Sequence, residues 1–153
     1  MSIAPVVQSV MVKAAPARAF ELFTEHMGRW WGVGQTLGQS PHRDMVVEPH
    51  NGGKWYEIDA TGKEIRWGTV AAWEPGVRLL LYWQVNSKFT FDPDFSTDLE
   101  ITFAAAQDGG TVIKLEHRNL ERFGADTEKF VSMLNAGWSG HLKTFNSYVT
   151  AQE

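Results

Sequence analysis

The 153-residue chain has 43% hydrophobic and 21% charged residues, the balance of a folded globular domain rather than of a disordered or fibrous chain. Its 14 basic and 18 acidic residues give a net charge of −4 with no basic stripe, which argues against nucleic acid and an anionic membrane as partners. Because there is no cysteine, the composition excludes disulfides, thiolate metal sites and a cysteine nucleophile.

The length predicts one domain spanning residues 1–153. The N-terminus has no basic segment followed by an apolar one, and the longest wholly apolar run, residues 79–83, is far shorter than the roughly 20 residues of a membrane span. We therefore expect a cytoplasmic protein without a membrane partner.

The first third of the chain predicts one strand followed by two short helices. Residues 6–13 are rich in β-forming side chains, and Pro16 then provides the fixed φ that suits the first turn of a helix. Ala19, Phe20 and Phe23 give that helix an apolar face. Residues 26–32 are expected to form a second short helix or a turn, and a loop continues to residue 40.

Short strands separated by turn signals follow. The turns are predicted at residues 51–53, 61–63, 74–76 and 108–110, each of which contains glycine. The strands are predicted around residues 46–47 and at 54–59, 65–73, 77–85, 97–105 and 111–118, with a loop at 86–96. Since each strand is a near neighbour of the next in sequence, they should form an antiparallel meander.

The alternation of the last two strands predicts which side chains face the interior. Leu99, Ile101, Phe103 and Ala105 share one face of the first, and Thr111, Ile113, Leu115 and His117 share one face of the second. If Ile113 and Leu115 face inward, His117 does so too, near the rim of any cavity. The inward faces of 54–59 and 77–85 are left open by the sequence.

The last third predicts a long amphipathic helix over residues 126–148. Its apolar stripe consists of Phe130, Leu134, Gly137, Trp138, His141, Leu142, Phe145 and Val149. Gly137 and Gly140 each cost a helix about 1 kcal/mol relative to alanine, so they indicate a close approach or empty space beside the helix. Asp126 is expected to cap the helix by accepting hydrogen bonds from first-turn amides.

Several short segments, in the order in which they occur along the chain, are similar to segments of a known superfamily. They are residues 14–20 (AAPARAF), 29–31 (RWW), 52–57 (GGKWYE), 67–70 (WGTV), 73–75 (WEP), 78–79 (RL), 115–118 (LEHR) and 137–138 (GW). The chain thus resembles the START/Bet v 1-like (SRPBCC) superfamily, and more narrowly domains similar to the C-terminal domain of the Hsp90 ATPase activators, often described as polyketide-cyclase-like.

This resemblance implies an α+β helix-grip fold: an antiparallel meander sheet wrapped around a long C-terminal helix, two short helices after strand 1, and a cavity between sheet and helix. Members bind apolar small molecules or lipids in that cavity, some catalyse ring closure or hydrolysis there, and others act as co-chaperones. The Hsp90 activators carry an additional N-terminal domain for which 153 residues leave no room, so a co-chaperone partner is the least favoured of the three roles.

The aromatic content bears on the cavity. Seven tryptophans and nine phenylalanines can either fill the core or line a cavity within it. The residues predicted to contact a ligand are Trp30, Trp55, Glu57, Trp83, Phe103, His117, Leu134, Trp138 and His141. Trp138 can equally be a core anchor. Trp30 and Trp31 should point about 100° apart on a helix, so at most one should enter the cavity while the other packs elsewhere or is exposed.

Acid–base chemistry has three candidates, His117, Glu57 and His141, because a buried carboxylate and imidazole can exchange protons near neutral pH. Each has a structural alternative. For His117 and Glu57 it is a hydrogen bond at a strand end, or an exposed ion pair of Glu57 with Arg66 or Arg118. For His141 it is a satisfied core histidine.

The histidines at positions 26, 42, 50, 117 and 141 lack the spacing of two, three or four that places two metal ligands on one face, so neither a metal nor another cofactor is expected. No Gly-x-Ser-x-Gly elbow of a serine hydrolase occurs. The expected function is therefore binding of an apolar small molecule or lipid-like ligand under the C-terminal helix. The alternatives are a small cyclase or hydrolase and a co-chaperone-like role, and a homodimer through an exposed edge strand is left open.

Overall fold

The computed structural model describes residues 3–31 and 42–152. A seven-stranded antiparallel sheet has the strand order β1-β7-β6-β5-β4-β3-β2. Its strands are β1 (Val6–Val12), β2 (His42–Val47), β3 (Lys54–Asp59), β4 (Glu64–Glu74), β5 (Arg78–Trp83), β6 (Thr97–Ala105) and β7 (Thr111–Arg118). Strands β2 to β7 form the predicted meander, and β1 closes the sheet by pairing with β7.

Three α-helices complete the domain: α1 (Pro16–Thr24), α2 (Met27–Trp30) and α3 (Thr127–Ala151). α1 and α2 follow β1, as predicted, and α3 is preceded by a 3-10 helix, Leu120–Asp126. This is the α+β helix-grip fold that the sequence predicts. The loop predicted to run to residue 40 lies outside the described residues, and among the described ones no helix is long and apolar enough to span a membrane.

The long helix begins differently from the prediction. Asp126 is the residue before α3, but its side chain makes no capping hydrogen bond, so that prediction is wrong. The reason is local: Asp126 ends the 3-10 helix with φ −93° and ψ 6°, not in the extended conformation that a capping residue needs. The hydroxyl of Thr127 instead donates to the carbonyl of Gly124 at 2.7 Å, which ties the two helices together.

The inner faces of the strands are now defined. In β3 the side chains of Trp55, Glu57 and Asp59 are buried, and in β5 those of Leu79, Leu81 and Trp83 are buried. In β7, Ile113, Leu115 and His117 share the inner face, as the alternation predicts. Ala105, expected on the inner face of β6, is exposed at the end of that strand. The outer face of the sheet carries Glu100 between Arg78 and Arg118, which keep the pKa of this carboxyl below its usual value.

One end of the interior is a phenylalanine core, which we define as Phe20, Phe23, Trp30, Phe103 and Phe145. Its rings come from α1, α2, β6 and α3, and the centroids of touching pairs lie 4.8–5.8 Å apart. The single side-chain hydrogen bond among these five residues runs from Trp30 Nε1 to the carbonyl of Leu22, at 3.1 Å. This core joins the three α-helices to the sheet through apolar contacts, and through Trp30 it adjoins Trp31 of the site described next.

Candidate functional site

Five buried indoles lie between the curved sheet and α3, and we call them the tryptophan layer. They are Trp31 after α2, Trp55 on β3, Trp67 on β4, Trp83 on β5 and Trp138 on α3. Four of them close a ring of edge-to-face contacts: Trp31–Trp67 at 5.5 Å, Trp67–Trp83 at 5.2 Å, Trp83–Trp138 at 6.0 Å and Trp138–Trp31 at 5.9 Å between centroids. Edge-to-face pairs at such distances are favourable beyond their burial.

Trp67 reaches this layer through a β-bulge. The pairing of β3 with β4 shifts between Trp55, which opposes Gly68, and Tyr56, which opposes Arg66. Two successive residues of β4, Trp67 and Gly68, are therefore buried, where simple alternation would expose one of them. Gly68 is required here, since a Cβ on it would lie 1.9 Å from the carbonyl oxygen of Tyr82. A glycine inside a strand is the sequence signal that could have revealed this bulge.

Trp31 reaches the layer because α2 ends there. Its φ of −62° and ψ of 128° are extended, so the angular spacing of helical residues does not govern its direction. Trp30 and Trp31 are both buried, at 1% and 4% exposure. Of the two alternatives that the sequence left open for the second indole, packing elsewhere and exposure, the structure shows packing: Trp30 packs against Phe145 in the phenylalanine core, and Trp31 packs in the layer.

His117 is held by two hydrogen bonds. The indole Nε1–H of Trp138 donates to its Nδ1 at 3.2 Å, and its Nε2 lies 2.8 Å from the hydroxyl of Thr97. Because Nδ1 accepts, the neutral ring carries its proton on Nε2 and donates it to Thr97. Burial lowers the pKa of His117 to about 3, so this ring is neutral at physiological pH.

His141 has a different environment. Its imidazole stacks on the indole of Trp31, with centroids 4.1 Å apart and an angle of 22° between the rings, and it also touches Trp138 at 5.4 Å. Burial lowers its pKa to about 4. Unlike the His117 ring, the His141 ring forms no hydrogen bond with another described residue. His141 is therefore a neutral imidazole with hydrogen-bonding capacity inside the layer.

Glu57 places a carboxylate in the same region. Its side chain is fully buried, and Oε1 accepts a hydrogen bond from Trp67 Nε1 at 2.9 Å. This burial rules out the exposed ion pair with Arg66 or Arg118 that the sequence left open. Arg66 instead binds Thr69, and Arg118 binds Glu100 on the outer face. The described contacts include no hydrogen bond between Glu57 and His117.

The indole of Trp55 stands apart from the others. Trp67, Trp83 and Trp138 each donate their Nε1–H to a described acceptor. Trp55 is fully buried, and its Nε1 has no hydrogen-bond partner. In the described part of the chain it is the one buried side-chain nitrogen or oxygen atom without a hydrogen-bond partner.

Gly137 on α3 has no side chain to fill the space beside it. It precedes Trp138, and a Cβ placed on Gly137 would meet no described atom within 4 Å. The same holds for Gly140, one turn further on at the exposed surface. Of the two explanations that the sequence allows for these glycines, close approach and open space, the structure favours open space.

The structure thus brings together Trp55, Trp83, Trp138, His117 and His141 from the predicted set, with Glu57 joined through Trp67. Phe103 and Trp30 lie in the phenylalanine core, although Trp30 also touches His141 at 6.4 Å. Leu134 is buried on α3. The sequence interpretation missed Trp31, Trp67 and the Thr97 hydroxyl. In residues 3–31 and 42–152 no three His, Asp or Glu side chains cluster in a way that could hold a metal ion.

Comparison with models of known families and with curated protein sequences gives no significant match. Solved structures do match. The chain is 30% identical to Txn09, an anthrahydroquino-gamma-pyrone synthase solved in a complex with SUM, over 95% of this chain and 97% of that one, with a TM-score of 0.68. It is also 30% identical to CalC, a self-sacrificing resistance protein of Micromonospora echinospora, over 97% and 96% of the chains, with a TM-score of 0.70. The Aha1 dimer of Colwellia psychrerythraea shares the fold at 13% identity, with 96% of each chain covered and a TM-score of 0.68.

Proposed function

We propose that this chain, which belongs to the START/Bet v 1-like superfamily, binds a planar, largely apolar small molecule between its sheet and α3. The observation that carries the proposal is the tryptophan layer: five indoles, two neutral imidazoles and a carboxylate buried in one part of the interior. Indoles provide large flat surfaces for a planar ring system, and a few buried polar groups fix its orientation.

The polar groups argue against a layer that only fills space. Burying a carboxylate or an imidazole costs free energy that hydrogen bonds must offset, and apolar side chains of similar volume often stabilise an interior at least as well. Glu57, His117 and Trp55 nevertheless lie in the same part of the interior. Groups of this kind in an aromatic surrounding are typical of a binding site.

One of the two 30%-identical structures supports a planar ligand, since it is named as an anthrahydroquino-gamma-pyrone synthase. The other is named as a self-sacrificing resistance protein and supports the superfamily. The resemblance to the Aha1 dimer, at 13% identity, supports the fold alone. We therefore place small-molecule binding ahead of a co-chaperone role, and both the homodimer and the cytoplasmic location stay predictions.

A binding experiment tests this proposal. Native mass spectrometry of the freshly purified protein, followed by denaturing extraction, should reveal any co-purifying molecule. Quenching of tryptophan emission by anthracene and by palmitate should then separate a planar aromatic ligand from an aliphatic one. We expect saturable quenching by anthracene and a several-fold weaker affinity in Trp138→Phe, which changes the layer. Phe145→Leu, a comparable change in the phenylalanine core, should leave the affinity within about twofold. Absence of a co-purifying molecule together with absence of saturable quenching contradicts the proposal.

A second candidate, a small cyclase or hydrolase, is favoured by one observation: Glu57 and His141 supply a carboxylate and a neutral imidazole to the same layer. In such an enzyme either group can act as a base that removes a proton from the bound molecule and then, in the protonated form so produced, returns that proton to the product. His117 is better suited to positioning, since both of its nitrogens have partners and its pKa is about 3. Once a ligand is identified, Glu57→Gln and His141→Gln should abolish turnover but keep binding. Unchanged turnover in both variants excludes these assignments.

A further inference from the structure

The unpartnered indole of Trp55 points to the chemistry of the ligand. We infer that Trp55 Nε1–H is the donor for an acceptor oxygen of the bound molecule, a ketone or phenolate oxygen on a planar ring system. This inference rests on the proposed function and makes it more specific, because it assigns to one named atom the recognition of one functional group.

The first step is energetic. A buried donor without an acceptor is unfavourable relative to the same donor in water, because it has lost its hydrogen bonds to water and gained none in return. Native proteins leave few such groups unpaired, and each calls for a physical reason. In this interior three other indoles of the layer show how readily an acceptor is supplied: a carboxylate for Trp67, a backbone carbonyl for Trp83 and an imidazole for Trp138.

The second step is positional. Trp55 is fully buried on the inner face of β3, and its ring touches those of Trp31, Trp67 and Trp83 at 6.1, 5.8 and 5.9 Å between centroids. The indole is thus enclosed by the aromatic surfaces proposed to hold the ligand. A molecule bound among these rings therefore brings its acceptor into the same aromatic surrounding as the unpartnered Nε1.

The third step concerns the ligand. Trp55 offers a donor from the inner face of β3, so a molecule bound beside it must present an acceptor oxygen to this N–H. A ketone or phenolate oxygen on a planar ring system supplies the acceptor, and the ring system supplies a flat surface for the surrounding indoles. Saturated lipid chains have neither a flat surface nor a mid-chain acceptor, so they do not match this arrangement.

The test compares two probes that differ in one group. The probes are 9-fluorenone and fluorene, which share a planar tricyclic frame but carry a carbonyl and a methylene group at position 9. The wild-type protein should bind 9-fluorenone about tenfold more tightly than fluorene, as expected for one hydrogen bond to a donor otherwise left unpaired. In Trp55→Phe the ratio of the two dissociation constants should fall to within twofold. In Trp73→Phe, an indole outside the layer that packs on Phe20, the tenfold ratio should remain.

A measurement on the wild-type protein guards against misfolding of the variant. The indole ¹H–¹⁵N cross-peak of Trp55, assigned by selective labelling, should move to lower field in the proton dimension with 9-fluorenone but not with fluorene. Equal affinities for the two probes, with a Trp55 cross-peak that 9-fluorenone does not shift downfield, overturn this inference and leave the proposed function intact; an internal water on Nε1 gives that outcome. Absence of binding by both probes overturns this inference, and it overturns the proposed function as well when no molecule co-purifies and anthracene gives no saturable quenching.

Discussion

The phenylalanine core and the tryptophan layer are equally buried but chemically unlike. Phe20, Phe23, Phe103 and Phe145 pack as hydrocarbon rings, and the single side-chain hydrogen bond of that core comes from Trp30. The layer combines five indoles with a carboxylate, two imidazoles and an unpaired N–H. Burial alone therefore does not mark a site in this protein, whereas buried hydrogen-bonding groups do. The comparison predicts that changes in the core alter stability, and that changes in the layer alter binding and pH dependence.

Truncation of the core should have the largest effect on stability. Phe145 is fully buried and touches Phe23 and Trp30 at 5.2 and 5.1 Å. Phe145→Ala should lower the free energy of unfolding by about 3–5 kcal/mol, because the change removes apolar contacts and leaves a cavity. Urea denaturation monitored by circular dichroism measures this. If the free energy of unfolding falls by less than about 1 kcal/mol, the neighbouring side chains close the cavity, and the core is then not more sensitive to truncation than the layer.

Acidification should act through the layer. His117 and His141 have folded-state pKa values of about 3 and about 4, below the ordinary value of 6.5. Between these values and 6.5 the unfolded chain binds more protons than the folded one, so stability is full above pH 6.5 and decreases as the pH falls. From pH 7 to pH 5.5 the free energy of unfolding should decrease by roughly 2–3 kcal/mol for the two rings together.

The contribution of each ring can be separated. His141→Gln should remove about half of this pH dependence, as measured by urea denaturation at pH 5.5, 6.25 and 7. His26, whose Nδ1 lies 2.7 Å from the Tyr148 hydroxyl, provides a control variant outside the layer. If His141→Gln leaves the pH slope unchanged, the imidazole on Trp31 is already protonated or solvated in the folded protein, and its assignment to the layer is wrong.

The smallest expected effect on stability comes from the two glycines of α3, Gly137 and Gly140. Gly137→Ala should stabilise the protein by about 1 kcal/mol, because alanine has the higher helix propensity and its Cβ meets no described atom. Gly140→Ala should give a similar gain at the exposed surface. If the open space beside Gly137 serves the ligand, Gly137→Ala also weakens anthracene binding while Gly140→Ala does not. Equal anthracene affinities in both variants would exclude a role for Gly137 in binding.

Much of the architecture was predictable because it depends on local signals. The glycine- and proline-containing turns predicted the first and last residues of β3, β6 and β7 correctly. The recurrence of apolar residues every three or four positions identified the long helix α3. The superfamily resemblance supplied the arrangement of these elements, which no periodicity contains. The Asp126 cap failed because it depends on the conformation of the preceding residues, and the 3-10 helix there sets that conformation.

The composition of the site was less predictable. Alternation placed His117 on the inner face, but it gave no prediction for Trp67, which a bulge turns inward. Helical spacing allowed one of Trp30 and Trp31 to enter the cavity, and the predicted set contained Trp30 rather than Trp31, which stands where α2 ends. Both omitted residues lie where a regular element is interrupted, and periodic reasoning holds only within an element. On the regular stretch of α3, Trp138 is buried on the apolar stripe that the spacing predicts.

The amino-acid sequence by itself determined the order of the elements, the shared inward faces of β6 and β7 and the presence of a helix with two unexplained glycines. Only the tertiary structure decided which polar side chains meet. The indoles of Trp67 and Trp138 found acceptors on other strands, and Trp55 found none, because hydrogen-bond partners distant in sequence are fixed by packing. The chemistry of this site follows from that difference, which no segment of the chain specifies alone.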